Sequence, residues 1–140
     1  MSEVSNTVEF ELVSPQRLLM SEPVEMVVVP GAEGDFGVLP GHSLLIATVR
    51  PGVIDIHEGG QVKESIFVAG GFAAVSPERC TVLAEEAVPV ADIDRGEAEQ
   101  RLEDAKTALA KAEEDPENDT AAAEKELKTA EAMVAAIPQA

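Results

Sequence analysis

One cysteine and two histidines are the side chains best suited to bind a metal ion or to act as a nucleophile with its base. Cys80, His42 and His57 are far apart in the sequence, and no Cys-x-x-Cys or His-x-x-x-His spacing accompanies them. Metal ligands in proteins usually come in such closely spaced pairs. Cys80 begins an apolar run, residues 80–84, which favours a small core residue over a reactive thiol. The sequence therefore predicts no metal site and no disulfide.

Carboxylates are abundant, but their spacing does not indicate acid–base catalysis. Glu85 and Glu86 are neighbours in the chain, as are Glu113 and Glu114. Side chains of adjacent residues point in different directions, so these pairs cannot share a site. No serine lies in a nucleophile-elbow pattern. We expect solvated surface carboxylates and no catalytic residue.

A glycine repeat within residues 30–42 could indicate phosphate binding. The glycines recur at every third position, at Gly31, Gly34 and Gly37. No Gly-Lys-Ser/Thr follows them, and no strand and helix flank them as a dinucleotide site requires. Glu33 and Asp35 lie in the same segment and would repel a phosphate. The segment is expected to be a tight surface loop whose glycines adopt positive φ angles.

The composition excludes several partner classes. The 140 residues carry a formal net charge of -17, and 45% of them are hydrophobic. A chain without a basic patch is a poor ligand for nucleic acid or for an anionic membrane surface. The N-terminus has no signal-peptide pattern, and no apolar run is long enough to span a bilayer. We expect a cytosolic protein with no direct membrane insertion, which reaches a membrane only through a partner.

Two hydrophobic periods divide the chain. Up to about residue 88, short apolar runs alternate with Pro-Gly, Gly-Gly and Ser-Pro turn signals, which predicts an antiparallel β-sandwich or barrel. The predicted strands are residues 8–12, 24–29, 44–50, 53–57, 61–69, 72–75 and 80–84. After Pro89 the period becomes helical. The first stripe is Ala98, Leu102, Ala105, Leu109 and Ala112, and the second is Ala123, Leu127, Ala130, Val134 and Ile137.

The two helical stripes predict an antiparallel hairpin. Residues 114–120 interrupt the pattern with Asp115-Pro116, and Asp94 with Glu97 forms a capping box at the start of the first helix. The predicted domains are therefore residues 1–90 and 91–140. Alanine stripes bury little area, so the hairpin alone should be marginally stable. Composition and spacing thus predict an acidic β domain plus helical hairpin, which is not an enzyme.

Residues 27–42 read VVVPGAEGDFGVLPGH, which closely resembles the characteristic loop of the epsilon subunits of bacterial F-type ATP synthases. Four further segments agree in order with that family: residues 50–54, 67–72, 81–85 and 92–94. The resemblance covers nearly the whole chain. It implies an α+β fold, with a flattened antiparallel β-sandwich of about ten strands followed by an antiparallel two-helix hairpin.

The resemblance also implies a function. Members of the family are non-catalytic rotor subunits of the central stalk, on the cytoplasmic face of the bacterial inner membrane. They couple rotation of the c-ring to ATP synthesis through contacts with the gamma subunit and the c-ring. The c-ring contact implied for this chain is Glu33, Gly34, Asp35, Phe36 and Gly37. The gamma contact implied is Pro40, Gly41 and His42. No cofactor is implied for these contacts.

Some family members also bind ATP at the start of the first helix and use the hairpin to inhibit hydrolysis, through alpha and beta subunits. This chain has Ile93, Asp94 and Ala98 at matching positions, but Glu97 replaces the arginine of the motif. Arg101, one turn further on, could compensate in part. The second helix carries Lys125 and Lys128 against four acids, a net charge of the wrong sign for strong docking on an acidic partner. We therefore expect weak or absent ATP binding and weak inhibition.

The residues alone leave alternatives open. An all-β ligand-binding module could homodimerise through the helical stripes, which are spaced so that they could pair between chains as well as within one. A small enzyme with an unrecognised carboxylate site is a third reading. A gamma-binding monomer would favour the rotor subunit over the homodimerising module.

Overall fold

The computed structural model describes residues 6–138. The chain divides into two compact units, with the division between Pro89 and Val90. The first is a β domain and the second is a helical hairpin, so the predicted fold class is confirmed. A short 3₁₀ turn, Val90–Asp92, begins the second unit.

The β domain contains eight strands within the described residues, where the family resemblance predicts about ten. The strands are β1 Val8–Ser14, β2 Arg17–Val24, β3 Met26–Gly31, β4 Gly34–Val38, β5 Leu45–Thr48, β6 Gly52–Glu58, β7 Gln61–Val75 and β8 Arg79–Pro89. Seven of them follow the order β2-β1-β8-β7-β6-β3-β4 in the sheet. The eighth, β5, is not part of this order and pairs with the last residues of β7.

A glycine pair explains part of the difference in strand number. Gly70 and Gly71 were expected to separate two strands, but β7 runs through both of them without a break. Their φ angles are 68° and 118°, a region that side chains with a Cβ rarely adopt. The first half of β7 pairs with β6 and the second half with β5, so one long strand serves two parts of the sandwich. A Cβ on Gly71 would overlap the carbonyl group of Leu83, which leaves glycine as the residue that fits.

The sequence and the resemblance predict an antiparallel sheet, and the structure corrects this at one strand pair. β1 pairs with β8 in parallel, with Phe10 opposite Cys80, while all other strand pairs within residues 6–138 are antiparallel. Parallel neighbours need a long connection. Here the connection is most of the β domain, so no local turn signal could reveal the direction of this pair.

The core of the β domain is aliphatic, as the scarcity of aromatic residues requires. It includes Phe10, Leu12, Ile54 and Ile56, each at most 2% exposed, together with valines from most strands. Each buried side chain of this size contributes about 1.5–3 kcal/mol relative to its exposed state. Cys80 lies in the same core, and burial raises the pKa of its thiol to about 12. The thiol is therefore protonated and unreactive at neutral pH.

The second unit is the predicted hairpin of two helices, α1 Arg95–Glu113 and α2 Ala121–Ala136. Asp94 caps α1, because its Oδ1 accepts a hydrogen bond of 2.9 Å from the backbone N–H of Glu97. The helices pack together through small residues, and Ala98, Ala105 and Ala130 are buried. Met133 is also buried, although the predicted stripe leaves it out, because it follows Ala130 by three residues and precedes Ile137 by four and so lies on the same helical face.

Candidate interaction surfaces

The glycine-rich segment forms a β-hairpin and not the loop that the sequence predicts. β3 pairs with β4 from Val27 opposite Val38 to Gly31 opposite Gly34, with the turn at residues 32–33. Gly34 alone of the three glycines has a positive φ, of 137°. Gly31 is required for another reason, since a Cβ there would lie 2.7 Å from the carbonyl oxygen of Gly34. Close packing of the turn therefore explains Gly31 and the φ angle explains Gly34, whereas a Cβ on Gly37 would meet only the sulfur of Met26, at an ordinary 3.7 Å.

The five residues predicted to contact the c-ring lie together at the end of this hairpin. Glu33, Gly34, Asp35 and Gly37 are exposed, whereas Phe36 is half-buried and packs against the core. A shallow groove of about 610 Å³ runs between this end of the hairpin and β5. The hairpin end is therefore an exposed, acidic projection anchored by one aromatic ring. Residues 32–37 are called the hairpin tip below.

Asp35 is already paired within the chain. Its Oδ1 accepts a hydrogen bond of 2.6 Å from Nη2 of Arg50, a residue that the sequence did not single out. The same guanidinium donates through Nη1 to the carbonyl oxygen of Gly31, also at 2.6 Å. Nothing in the sequence indicates this contact, because Arg50 follows Asp35 by 15 residues and belongs to another turn.

Pro40, Gly41 and His42 form a tight turn after β4. Gly41 has a φ of 86°, and its N–H donates to the carbonyl oxygen of Pro77 at 2.8 Å. Nδ1 of His42 donates to the carbonyl oxygen of Ser43 at 2.7 Å, so the hydrogen lies on that nitrogen. His42 is half-buried and has a structural hydrogen bond, which suits a packing residue better than a general base.

An exposed apolar face covers the outer side of β5, β7 and β8. Ile46 pairs with Ala74 in β7, Thr48 pairs with Phe72, and Phe72 pairs with Leu83 in β8. Directly paired residues share one face of a sheet. The large exposed side chains here are Leu44 at 80%, Ile46 at 79%, Phe72 at 57% and Leu83 at 43% exposure. These four residues are called the apolar face below.

The apolar face was not predicted from the sequence. Leu44, Leu45 and Ile46 form one continuous apolar run, so periodicity cannot show which side chains point outward. The pairing register with β7 decides it. Contiguous exposed apolar side chains of this kind mark surfaces that bind another protein. The turn at Gly41 leads directly into this face.

The predicted nucleotide-binding positions do not form an open cationic site in the hairpin. Asp94 caps α1, Ala98 is 2% exposed, and Ile93 is half-buried. Arg101 contacts Glu126 of α2 through two hydrogen bonds, Nε to Oε2 at 2.8 Å and Nη2 to Oε1 at 3.0 Å. This two-point contact holds the pKa of the Glu126 carboxyl below its ordinary value, and the attraction between the opposite charges acts in the same direction.

The surroundings of Arg101 are acidic. A shallow depression of about 500 Å³ lies beside it, and Glu97, Asp104 and Glu126 are among the lining residues. Three carboxylates around one arginine would repel the negative charge of a triphosphate. Among the described residues, no group of three histidine, cysteine, aspartate or glutamate side chains is arranged to hold a metal ion.

Residues 7–90 match the family described as ATP synthase, Delta/Epsilon chain, beta-sandwich domain. The ATP synthase epsilon chain of Paramagnetospirillum magneticum is 57% identical over 134 residues, which cover 96% of this chain and 99% of that protein. The chain belongs to the ATP synthase epsilon chain family. The epsilon chain of Rhodospirillum rubrum is 53% identical over 133 residues, covering 95% of this chain and 98% of that one.

Membership of this family confirms the resemblance found in the sequence. Epsilon chains are accessory subunits of ATP synthase and do not carry its catalytic site, so the prediction of a non-catalytic subunit is also confirmed. A chain in the solved Euglena gracilis mitochondrial ATP synthase, an OSCP/F1/c-ring assembly in rotational state 1, superposes with a TM-score of 0.80. It is 28% identical, and the match covers 96% of this chain and 84% of that one. Neither helix within residues 6–138 is long and apolar enough to cross a bilayer.

Proposed function

We propose that this epsilon-family chain is a rotor subunit of the central stalk of an F-type ATP synthase, on the cytoplasmic face of a bacterial inner membrane. It couples rotation of the c-ring to ATP synthesis by binding the gamma subunit and the c-ring with different surfaces. A densely packed β-sandwich suits this role because it transmits force without deforming. The apolar face is the observation that carries the proposal, since it remains exposed in the isolated chain.

The gamma subunit is the proposed partner of the apolar face. Stable protein interfaces have an apolar centre with a polar rim. Leu44, Ile46, Phe72 and Leu83 supply such a centre, and none of them is charged. The turn at Pro40, Gly41 and His42 precedes this face in the chain, so the gamma contact predicted from the family motif belongs to the same proposed interface.

The c-ring is the proposed partner of the hairpin tip. The tip is exposed and acidic, and the half-buried Phe36 connects it to the core. Exposed charge pairs contribute only about 1 kcal/mol or less each. The tip is therefore proposed to fix the position of the subunit on the ring, while the apolar face provides most of the affinity within the stalk.

Site-directed crosslinking tests the orientation. Cysteine at Asp35 would remove the pair with Arg50, so Glu33→Cys is the preferable probe. The control is Gln61→Cys at the β6–β7 turn. That turn lies at the opposite end of the sheet, because His57 near the end of β6 pairs with Met26 at the start of β3. Buried Cys80 can stay in place.

The proposal expects crosslinks from Glu33→Cys to cysteines in the polar loops of the c subunits, in the assembled synthase. Gln61→Cys should give none. Crosslinks from Gln61→Cys alone would reverse the orientation, and crosslinks from neither position would exclude contact of this end with the ring.

Substitution of His42 tests the other surface. His42→Ala is expected to weaken binding to gamma while the isolated chain keeps its thermal stability, because the side chain is half-buried and makes one hydrogen bond. His57→Ala, at a half-buried histidine near the opposite end of the sheet, is the control. Unchanged affinity for gamma in His42→Ala would remove this residue from the interface.

The hairpin is proposed to bind ATP weakly or not at all and to inhibit hydrolysis weakly. The pairing of Arg101 with Glu126 supports this, because the arginine that could compensate for the missing one already contacts a carboxylate. Arg95, within the degenerate motif, lies 3.7 Å from a carboxylate oxygen of Glu99. Any contact with alpha and beta subunits is proposed to be made by the exposed surface of the hairpin. The alternative, a ligand-binding module that homodimerises through its hairpin, gains no support from the comparisons, and the two helical stripes pack within one chain.

A further inference from the structure

Arg50 joins three separate segments of the β domain. Its guanidinium donates to the carbonyl oxygen of Gly31 at the end of β3 and to Oδ1 of Asp35 in β4, each at 2.6 Å. Arg50 itself lies between β5 and β6. The planar guanidinium can donate two hydrogen bonds in fixed directions, so both contacts are made at once. This arrangement is called the Arg50 clamp.

The backbone that carries Arg50 is itself closely packed. The N–H of Arg50 donates to the carbonyl oxygen of Pro30 at 2.9 Å, and the N–H of Ala32 donates to the carbonyl oxygen of Thr48 at 2.8 Å. A Cβ on Gly52 would lie 2.9 Å from Cβ of Pro30. The start of β6 and the end of β3 are therefore in contact, with no room for a side chain between them. The clamp therefore extends from a fixed base, and the guanidinium can restrain the tip beyond it.

The clamp also decides which carboxylate the tip presents. The charge of Asp35 is paired with that of Arg50, although the side chain of Arg50 is 42% exposed and that of Asp35 is 59% exposed. Glu33 lies in the turn, is exposed, and makes no ion pair within residues 6–138. Of the two acids in the tip, Glu33 is thus the one whose charge is available to a basic partner.

We propose that Arg50 is a positioning residue for attachment to the c-ring. It holds the hairpin tip in one conformation and engages Asp35, so that Glu33 is the carboxylate that meets a basic residue of the ring. A tip ordered in advance loses less conformational freedom on binding than a loose one. The inference rests on the proposed function, in which the tip faces the ring, and it adds a residue outside the tip that controls the contact.

Three variants of the full-length chain and one control test the clamp. Arg50→Gln removes both side-chain contacts, Asp35→Asn weakens one, and the double variant combines them. Lys63→Gln is the control, because Lys63 forms exposed pairs with Glu58 and Glu22 near the opposite end of the sheet. Binding is measured separately to purified gamma subunit and to purified c-ring in detergent. Hydrogen exchange at the amide of Ala32 reports the order of the tip directly.

The clamp predicts about a tenfold loss of c-ring affinity in Arg50→Gln, with gamma affinity unchanged. Asp35→Asn should lose less affinity for the c-ring than Arg50→Gln. The double variant should bind the ring no more weakly than Arg50→Gln, because both substitutions break the same contact. Exchange at Ala32 should accelerate in Arg50→Gln and not in Lys63→Gln. The inference is overturned if ring affinity is unchanged, or if gamma affinity falls in parallel, since that would indicate a general structural role.

The failure of the proposed function gives a different result. If the wild-type chain binds gamma but not the c-ring, the proposed orientation is wrong, whatever the variants do. Hydrogen exchange then still tests the clamp, and an unchanged exchange rate at Ala32 in Arg50→Gln would overturn it as a restraint on the tip.

Discussion

Replacement of Ile46 by alanine should separate gamma binding from stability. Ile46 is 79% exposed on the apolar face, so nearly all of its side chain is available to be buried by a partner. Full burial of an isoleucine side chain contributes about 1.5–3 kcal/mol. Alanine retains only the Cβ, so the expected loss is about 2 kcal/mol, which corresponds to a roughly 30-fold rise in the dissociation constant for gamma.

The same substitution should change the folded chain little. A side chain so exposed contributes little to the core, and its loss from a strand costs up to about 1 kcal/mol through β propensity. Val62→Ala is the matched control, since Val62 is also a β-branched residue in a strand, is 50% exposed, and lies at the other end of β7 from the pairs with β5. Calorimetric titration with purified gamma and urea unfolding give the two quantities.

The reasoning would be refuted by a gamma affinity of Ile46→Ala within twofold of the wild type. It would also be refuted if Val62→Ala weakened binding as much, because the loss would then follow any change in exposed apolar area. A fall in unfolding free energy of about 2 kcal/mol or more in Ile46→Ala would show that the side chain is part of the core, against its exposure in the structure.

Three further results are expected. Gly71→Ala should lower the unfolding free energy, measured by urea unfolding, by about 3 kcal/mol or more. Gly59→Ala, at a positive φ with open space around it, should lower it by about 1 kcal/mol. Equal losses would show that the overlap of a Cβ on Gly71 with the carbonyl group of Leu83 does not determine the cost. Because Arg101 lowers the pKa of Glu126, their pair stabilises the hairpin above the ordinary carboxyl pKa and loses this effect as the pH falls through the lowered value. Glu126→Gln should therefore lose about 1 kcal/mol or less at pH 7 and progressively less in acid, and a pH-independent difference would contradict this. Calorimetry should detect no micromolar ATP binding, and removal of residues 91–140 should leave hydrolysis by the complex within about twofold of the intact level, whereas a several-fold rise would show that the hairpin inhibits.

The helical hairpin could be predicted from the sequence because its determinants are local. The period of the stripes, the cap at Asp94 and the break at Asp115-Pro116 all lie within a few residues of the ends they determine. The capping bond predicted at Asp94 is present in the structure. The paired residues Arg101 and Glu126 were not predicted as partners, because they lie on different helices and their contact depends on how the helices pack.

The β domain was predicted less completely because its determinants are not local. β2 was missed, since Ser21, Glu22 and Pro23 interrupt its apolar pattern. Proline is tolerated there because β2 lies at the edge of the sheet and pairs with β1 alone. The parallel pairing of β1 with β8 and the outward face of β5 both depend on register between distant strands. The residues of the tip could be named from the sequence, but Arg50 could not.

The two arginine contacts show how this acidic chain uses its few cations. With 10 basic residues against 27 acidic ones, each arginine is surrounded by candidate partners. Arg50 engages Asp35 and restrains the tip, whereas Arg101 engages Glu126 and joins the two helices. In both places a cation that could have bound an external anion acts instead within the chain. A phosphate ligand would have to displace an internal carboxylate held by two hydrogen bonds at Arg101, and it would meet Glu97 and Asp104 nearby. Any regulation of the hairpin is therefore expected to come from a protein partner that competes for Glu126 or Arg101, and not from nucleotide binding.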